Sequence, residues 1–381
     1  MRTEVFLTRT AAYLPFAPVA NEEIEDILGQ IGGKPSRARR LVLRSNGITT
    51  RHYAIDRATG EPAMSNAQLT ACAIRLLGDL GKVDCLATGT SLPDQLMPNH
   101  AVMVHGELGW PRLEVVSCAG ICLAGTAALK HAWLLLRAGE GQRAVATGSE
   151  LASPILLARN FELESEHRIA ALEAHPEIAF EKDFLRWMLS DGAGAVLLET
   201  TPRAPLSLRI DWIELSSAAH ELPACMYAGA QKNADGSLRG WLSYTPEQWA
   251  SQSIFTVKQD VRLLNDSVCR ATLRDPLAEL VQKRKLRADD IDWFLPHLSS
   301  QFFVQPMIEA LREAGLPIPR ERWFSNLASV GNTGSAAPFI MLDELFRSGR
   351  IQPGHKLLMF IPESGRFSSG FVCMQAVGGA A

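Results

Sequence analysis

Short apolar runs alternate along the chain with segments of helical periodicity, a pattern that predicts an α/β protein. In the first half, strands are expected at Val83–Ala87 and at Leu113–Ser117, which runs into a helix at Cys118. That helix ends at Leu136-Arg137-Ala138-Gly139, and a strand at Ala144–Thr147 follows. The half closes with the turn Asp191-Gly192-Ala193-Gly194 and the strand Ala195–Leu198. The second half repeats this order. A strand at Ile291–Leu295 precedes Trp323–Leu327, which leads through Gly331-Asn332-Thr333-Gly334 into a helix ending at Leu345-Phe346-Arg347-Ser348-Gly349. Strands at Lys356–Ile361 and Phe371–Ala376 flank a Ser364-Gly365 turn. The repeat predicts two duplicated α/β halves, residues 1–203 and 204–381, joined at a connector where Pro202 and Pro205 suit a break. Chance similarity of two ordinary α/β halves is the plainer alternative. Two stretches fall outside the repeat: an inserted segment at about 151–186 that is charged from Glu162 to Glu173, and a polar and aromatic one at 219–260. Such insertions usually shape access to a site.

Composition narrows the function. With 38 Lys+Arg against 41 Asp+Glu the formal charge is −3, which lacks the basic footprint of a nucleic-acid binder. Hydrophobic residues make up 47% of the chain, enough for a large core. Seven scattered cysteines do not resemble a disulfide framework and suit a reducing, cytoplasmic setting. Glu4 stands where a secretion signal would need its apolar stretch. The longest uncharged run, Trp323–Leu342, is broken by asparagines, glycines and Pro338, so no membrane span is expected. No cysteine or histidine pairs have zinc spacing, and no phosphate-binding glycine loop occurs, so neither metal nor cofactor is expected.

Three residues carry candidate chemistry. Cys118 follows an apolar strand and is expected to open a helix without charge before Lys130. A thiol at the positive end of a buried helix is biased toward thiolate, beside N–H groups able to hold an oxyanion. A lone cysteine also packs well as a core residue, and Cys122, further along the same expected helix, reads as core. His297 follows Pro296 at the end of a strand, where sites of α/β sheets gather, or it is a satisfied structural histidine. Asn332 lies between Gly331 and Gly334, either as a helix cap or in a turn that lets a ligand approach closely.

Together these residues resemble the thiolase-fold ketosynthases, specifically the β-ketoacyl synthase III group. The resemblance rests on Ser117-Cys118-Ala119-Gly120, on Met188 through Val196, on Ile291 through His297, on Ser329 through Ser335 and on Glu363-Ser364-Gly365-Arg366-Phe367. Asn46 through His52 is similar to that group's early loop. Within the group the chain most resembles the dialkylresorcinol-type condensing enzymes, through Phe184 through Asp191, His220 through Gly229 and Pro362 through Ser368.

The resemblance implies a thiolase-like fold with two similar halves in α-β-α-β-α layers, and a homodimer. It implies that Cys118 takes an acyl group from a thioester carried by coenzyme A or an acyl carrier protein. The N–H groups of Cys118 and Gly365 would form the oxyanion hole. His297 and Asn332 would donate hydrogen bonds to the carbonyl of a second, β-keto or malonyl-type thioester. Carbon–carbon bond formation would follow, then cyclisation to a cyclohexanedione or dialkylresorcinol precursor.

Some positions depart from the pattern. Glu363 stands where a phenylalanine is usual, and is either an auxiliary base for ring closure or a partner of Arg366. Leu298-Ser299-Ser300 replaces the usual Gln-Ala-Asn after the histidine, and Phe302 stands where a basic residue linked to carrier docking is common. Met97 matches a position that reaches into the partner subunit's acyl pocket, or simply packs in an interface. The alternatives are a fatty-acid-initiating synthase, an ester-forming acyltransferase and a silent subunit of a heterodimer. The presence of Asn332 disfavours the ester-forming reading, and a complete Cys–His–Asn set disfavours a silent subunit.

Overall fold

The computed structural model describes residues 3–36, 39–161 and 185–378. Nine strands form its main sheet. In chain order they are β1 (Phe6–Tyr13), β2 (Cys85–Thr90), β3 (Glu114–Ala119), β4 (Arg143–Glu150) and β5 (Gly192–Glu199). The second set is β6 (Leu206–Ser217), β7 (Trp293–Pro296), β8 (Lys356–Glu363) and β9 (Ser368–Gly378). The helices that position the site are α1 (Asn66–Arg75), α2 (His100–Leu108), α3 (Ala124–Ala138), α4 (Val261–Val268), α5 (Asp275–Arg284), α6 (Val304–Glu313) and α7 (Ala337–Arg347).

The strand order is β7-β8-β9-β6-β1-β5-β4-β2-β3. In the first set, β2 runs parallel to β4, while β4–β5 and β5–β1 are antiparallel. The second set reproduces this: β7 is parallel to β8, and β8–β9 and β9–β6 are antiparallel. Even β3 has a counterpart, because Trp323 makes a parallel bridge to Phe294 beside β7. The expected strand at Trp323–Leu327 is reduced to that bridge, since Leu327–Val330 coils into a helical turn. The two sets meet where β1 pairs with β6 at Phe6–Arg209 and Leu7–Leu208.

Alternation along the strands sets the layers, because successive side chains point to opposite faces. Cys85 and Ala87 of β2, Leu198 of β5 and Leu357, Met359 and Ile361 of β8 share one core with Ala128 of α3 and Phe339 of α7. That core holds α3 and α7 between the two sets of strands. Leu86, Val145 and Ala195 face the other way and pack with Leu69 of α1 and Val104 of α2. Leu358, Phe360 and Phe371 pack outward against Leu264 of α4, Leu277 of α5 and Met307 of α6. The result is the expected α-β-α-β-α layering.

A row of glycines lets the central helices approach. Gly89, Gly148 and Gly194 lie in register across β2, β4 and β5. A Cβ on Gly89 would collide with the backbone of Ala124, on Gly148 with Ser335 O and the Phe339 ring, and on Gly194 with Phe339 Cβ. Asp191-Gly192-Ala193-Gly194 is therefore not a turn as expected; its glycines belong to β5. Because the blocking atoms at Gly148 include rigid backbone, Gly148→Ala is expected to cost ~1–3 kcal/mol or more of overpacking, read as a lower denaturant midpoint with unchanged m-value.

Most of the charged stretch expected within 151–186 lies outside the described residues. The 219–260 segment folds into small paired strands, Ala230–Lys232 with Leu238–Gly240 and Met226–Tyr227 with Lys258–Gln259, pinned by the ring cluster Trp241, Trp249 and Phe255. No helix among the described residues is long and apolar enough to cross a membrane.

Candidate active site

Cys118 does not open a helix. Its strand must run on to Ala119 to complete parallel pairing with Thr90, which leaves Cys118 inside β3 opposite Gly89. The chain turns at Gly120–Leu123, and α3 begins only at Ala124. Burial raises the Cys118 thiol pKa, the opposite of the expected activation. Cys118 lines neither cavity described below, whereas Cys122 lines both.

Cys122 sits in the tight turn just before α3, where Ala124 N–H donates to Ile121 O (3.1 Å) and Ala127 N–H to Leu123 O (2.9 Å). It is buried, and burial pushes its thiol well up, with Glu363 and Glu150 acting in the same direction. The resting group is therefore a neutral thiol. The N-terminal end of α3 beside it favours negative charge developing on sulfur or oxygen.

His297 follows β7 directly, and its backbone N–H donates to Phe360 O of β8 (2.8 Å). The ring is buried, and burial lowers its pKa to about 4, so the imidazole is neutral at pH 7. Its Nε2 has no hydrogen-bond partner among the described residues. A buried ring nitrogen left without a partner is costly unless a substrate group meets it.

Asn332 is not a helix cap. α7 starts after a 3₁₀ turn at Gly334–Ala336, with Ala336 at its N-cap and no side-chain capping bond. The Asn332 backbone is clamped instead: its N–H donates to Met188 O (3.0 Å), and its carbonyl accepts from Ser190 N–H (2.9 Å). Its side-chain Oδ1 accepts from Gly334 N–H (3.0 Å), which turns the amide NH₂ to the other side as a fixed donor.

These residues meet at two cavities. One of about 350 Å³ is lined by Cys122, Asn332, Glu150 and Ser364 at its polar end and by Ile155, Leu185, Met188 and Phe303 among its apolar walls. A small one of about 30 Å³ joins Cys122, His297, Ser299 and Ser364. Cys122 and Ser364 border both. A buried thiol, a neutral imidazole and a fixed amide therefore share one largely apolar site, which suits acyl transfer through sulfur with hydrogen-bond stabilisation of an enolate or oxyanion.

Two other expectations change. Glu363 caps its own turn, with Oε1 accepting from Gly365 N–H (2.8 Å) and Oε2 from Ser368 N–H (3.4 Å). Arg366 is not its partner; its Nε donates to Leu222 O (3.1 Å). Gly365 therefore spends its N–H on Glu363 and not on an oxyanion hole, while its carbonyl accepts from Cys225 and Met226 N–H. Replacing Glu363 by alanine should loosen this turn at a cost of about 1 kcal/mol, read by thermal unfolding, and Glu363→Gln should keep turnover within a few-fold.

Met97 is 86% exposed and Leu96 71%, both outside the cavities. Cys85, Glu114 and His131 bring potential metal-ligand atoms within 4.8 Å of one another, but none of the three lines the site.

Glu150 has no signal in the sequence, nor have the wall residues Val257 and Gln259, whereas Ser364 and Met226 through Ala228 lie in segments that carry the resemblance. A signal for Cys122 existed. It precedes Arg137 by 15 positions, as Asn332 precedes Arg347, and both arginines close the equivalent helices. The repeat thus pairs Cys122 with Asn332 across the two halves, with Cys118 four residues too early.

The fold is thiolase-like. Residues 281–373 match the family model 3-oxoacyl-[acyl-carrier-protein (ACP)] synthase III C terminal. Over 356 residues the chain is 24% identical to a β-ketoacyl-[acyl-carrier-protein] synthase III of Limosilactobacillus reuteri, covering 93% of this chain and 94% of that protein. Similar solved structures include AbyA1, a tetronic acid condensing enzyme (TM-score 0.72, 22% identity, 97% of this chain and 99% of that one). They also include the 3-oxoacyl-(acyl carrier protein) synthase III of Pseudomonas aeruginosa PAO1 (TM-score 0.69, 19% identity, 99% and 100%). A third is Xanthomonas campestris OleA with bound lauric acid and lauroyl-CoA (TM-score 0.70, 18% identity, 98% and 100%). The C-terminal part of the chain thus matches the β-ketoacyl synthase III model, and the chain as a whole shares the fold of these solved structures.

Proposed function

We propose that this enzyme loads an acyl group onto Cys122 from an acyl thioester and condenses it with a β-keto or malonyl-type thioester. The observation that carries this reading is that Cys122 borders two cavities at once, the larger shared with Asn332 and the smaller with His297. In the first step the Cys122 sulfur attacks the thioester carbon, the carbon–sulfur bond of the donor breaks, and the departing thiolate takes the proton that Cys122 gives up. In the second step Asn332 and neutral His297 donate hydrogen bonds to the carbonyl of the second thioester, stabilising the enolate that attacks the acyl-cysteine. The new carbon–carbon bond forms as the acyl carbon–sulfur bond breaks, returning sulfur as thiolate.

The finer assignment is a cyclohexanedione or dialkylresorcinol precursor. It is supported by the segments Leu185 through Asp191, His220 through Gly229 and Pro362 through Ser368, which supply Leu185, Met188 and Met226 through Ala228 to the cavity wall and Ser364 to its polar end. Donors on coenzyme A or an acyl carrier protein, and a homodimer with Met97 at the subunit boundary, belong to the same proposal; the exposed Leu96 and Met97 support the latter.

The test supplies octanoyl-CoA and then 3-oxooctanoyl-pantetheine, with intact mass following the enzyme and chromatography following the product. An octanoyl adduct converted to a cyclised condensation product is expected. An adduct that resolves only to a linear product would remove the dialkylresorcinol assignment, and no adduct would remove the condensing reading.

A further inference from the structure

Glu150 ends β4 with its side chain buried at the polar end of the main cavity, alongside Cys122 and Asn332. One oxygen is held: Oε2 accepts from Ser91 Oγ–H (2.6 Å) and from Ser335 N–H (3.2 Å). The other, Oε1, is buried with no hydrogen-bond partner among the described residues. Space for the carboxylate comes from Gly334, where an added Cβ would collide with Oε2 and where φ is +52°. One turn, residues 332–335, therefore both fixes the Asn332 amide through Gly334 N–H and seats the Glu150 carboxylate through Ser335 N–H. A thioester carbonyl taken by Asn332 lies on the turn that carries the carboxylate.

We propose that Glu150 is the proton acceptor of the condensation, taking the α-carbon proton of the second thioester at Oε1. This rests on the condensing function proposed above and goes beyond it, since it assigns a nucleophile made by deprotonation where no carboxylate leaves as carbon dioxide. The α-carbon–hydrogen bond breaks, its electron pair forms the enolate, and the proton moves to Oε1. After the enolate attacks and Cys122 leaves as thiolate, the proton passes from Glu150 to sulfur, so each turnover returns a carboxylate and a thiol. Burial, with Asp191 just before β5 acting in the same direction, raises the carboxyl pKa to about 7 against the hydrogen bonds from Ser91 and Ser335, which suits a base working near neutrality. Of the other titratable groups at the site, Cys122 is a thiol and His297 is neutral.

The experiment measures exchange of the α-protons of 3-oxooctanoyl-pantetheine in D₂O by mass spectrometry, above the enzyme-free rate, beside octanoylation of Cys122 by octanoyl-CoA. Glu150→Gln is expected to lower exchange by about 10²–10⁴-fold while octanoylation stays within a few-fold. Glu150→Asp should recover part of the loss. Wild-type exchange should rise with pH and level off above an inflection near 7, since only the ionised carboxylate accepts a proton. Exchange unchanged in Glu150→Gln, or lost in equal measure with octanoylation, would overturn the assignment. If that variant does not fold, a wild-type exchange rate that is absent or flat between pH 5.5 and 8.5 overturns it by itself. Failure of octanoylation in the wild type would instead strike the condensing function on which the assignment rests.

Discussion

Cys122→Ala should abolish acylation and condensation together, while Cys118→Ala keeps both within a few-fold of wild type. Loss of a covalent nucleophile removes the acyl-enzyme altogether, and such losses reach the order of 10⁶-fold in turnover. The contrast between the two cysteines is the informative part, since both lie on the same strand-to-helix segment. Cys118 is fixed in β3 by pairing with Gly89, and its sulfur packs against the core that contains α3. Cys122 lies past the end of that strand, in the turn that faces both cavities. The pair of variants is read by steady-state turnover and by intact mass. Both should remain folded, because alanine fills most of the space of a cysteine at either position.

His297→Ala and Asn332→Ala should each lower condensation by about 10²–10³-fold, a loss near 3 kcal/mol of transition-state stabilisation, with the Cys122 adduct still forming. Each side chain offers a donor that costs no rearrangement to use. His297 Nε2 is already buried without a partner, and the Asn332 amide is already turned by Gly334 N–H. Single-turnover measurement separates the steps: adduct formation survives, and its decay on addition of the second thioester slows. Protonation of His297 does not set the acid limb, because burial holds the imidazole neutral down to about pH 4. Loss of activity between pH 8 and 6 should follow the carboxyl group of Glu150, and its inflection should be absent from residual condensation by Glu150→Gln.

Much of this arrangement is written locally in the chain. Parallel and antiparallel strands leave apolar runs with glycine-rich ends, and two helices closing on Arg-Ala-Gly and Arg-Ser-Gly mark the repeat. His297 and Asn332 were visible because each sits at a boundary that Pro296 or the flanking glycines announce. Cys118 lies inside β3 and not at a helix start because strand length is set by a neighbour: β3 extends to Ala119 only because β2 extends to Thr90. The contact Glu363 makes in place of one with Arg366 is not legible in sequence, because the hydrogen bond closes a turn two residues long, which leaves no mark in residue type. Glu150 was invisible for a further reason. A glutamate after Gly148-Ser149 looks like a solvated strand end, and its burial depends on a missing Cβ at Gly334, far along the chain.

Tandem mass spectrometry of the enzyme digested after brief exposure to octanoyl-CoA tests the shared site most directly. Cys118 and Cys122 fall on one tryptic peptide, Leu113 to Lys130, and fragment ions between them locate the octanoyl group. The arrangement of sulfur, imidazole and amide predicts the added mass on Cys122 alone. An octanoyl group on Cys118, with Cys122 unmodified, would contradict it.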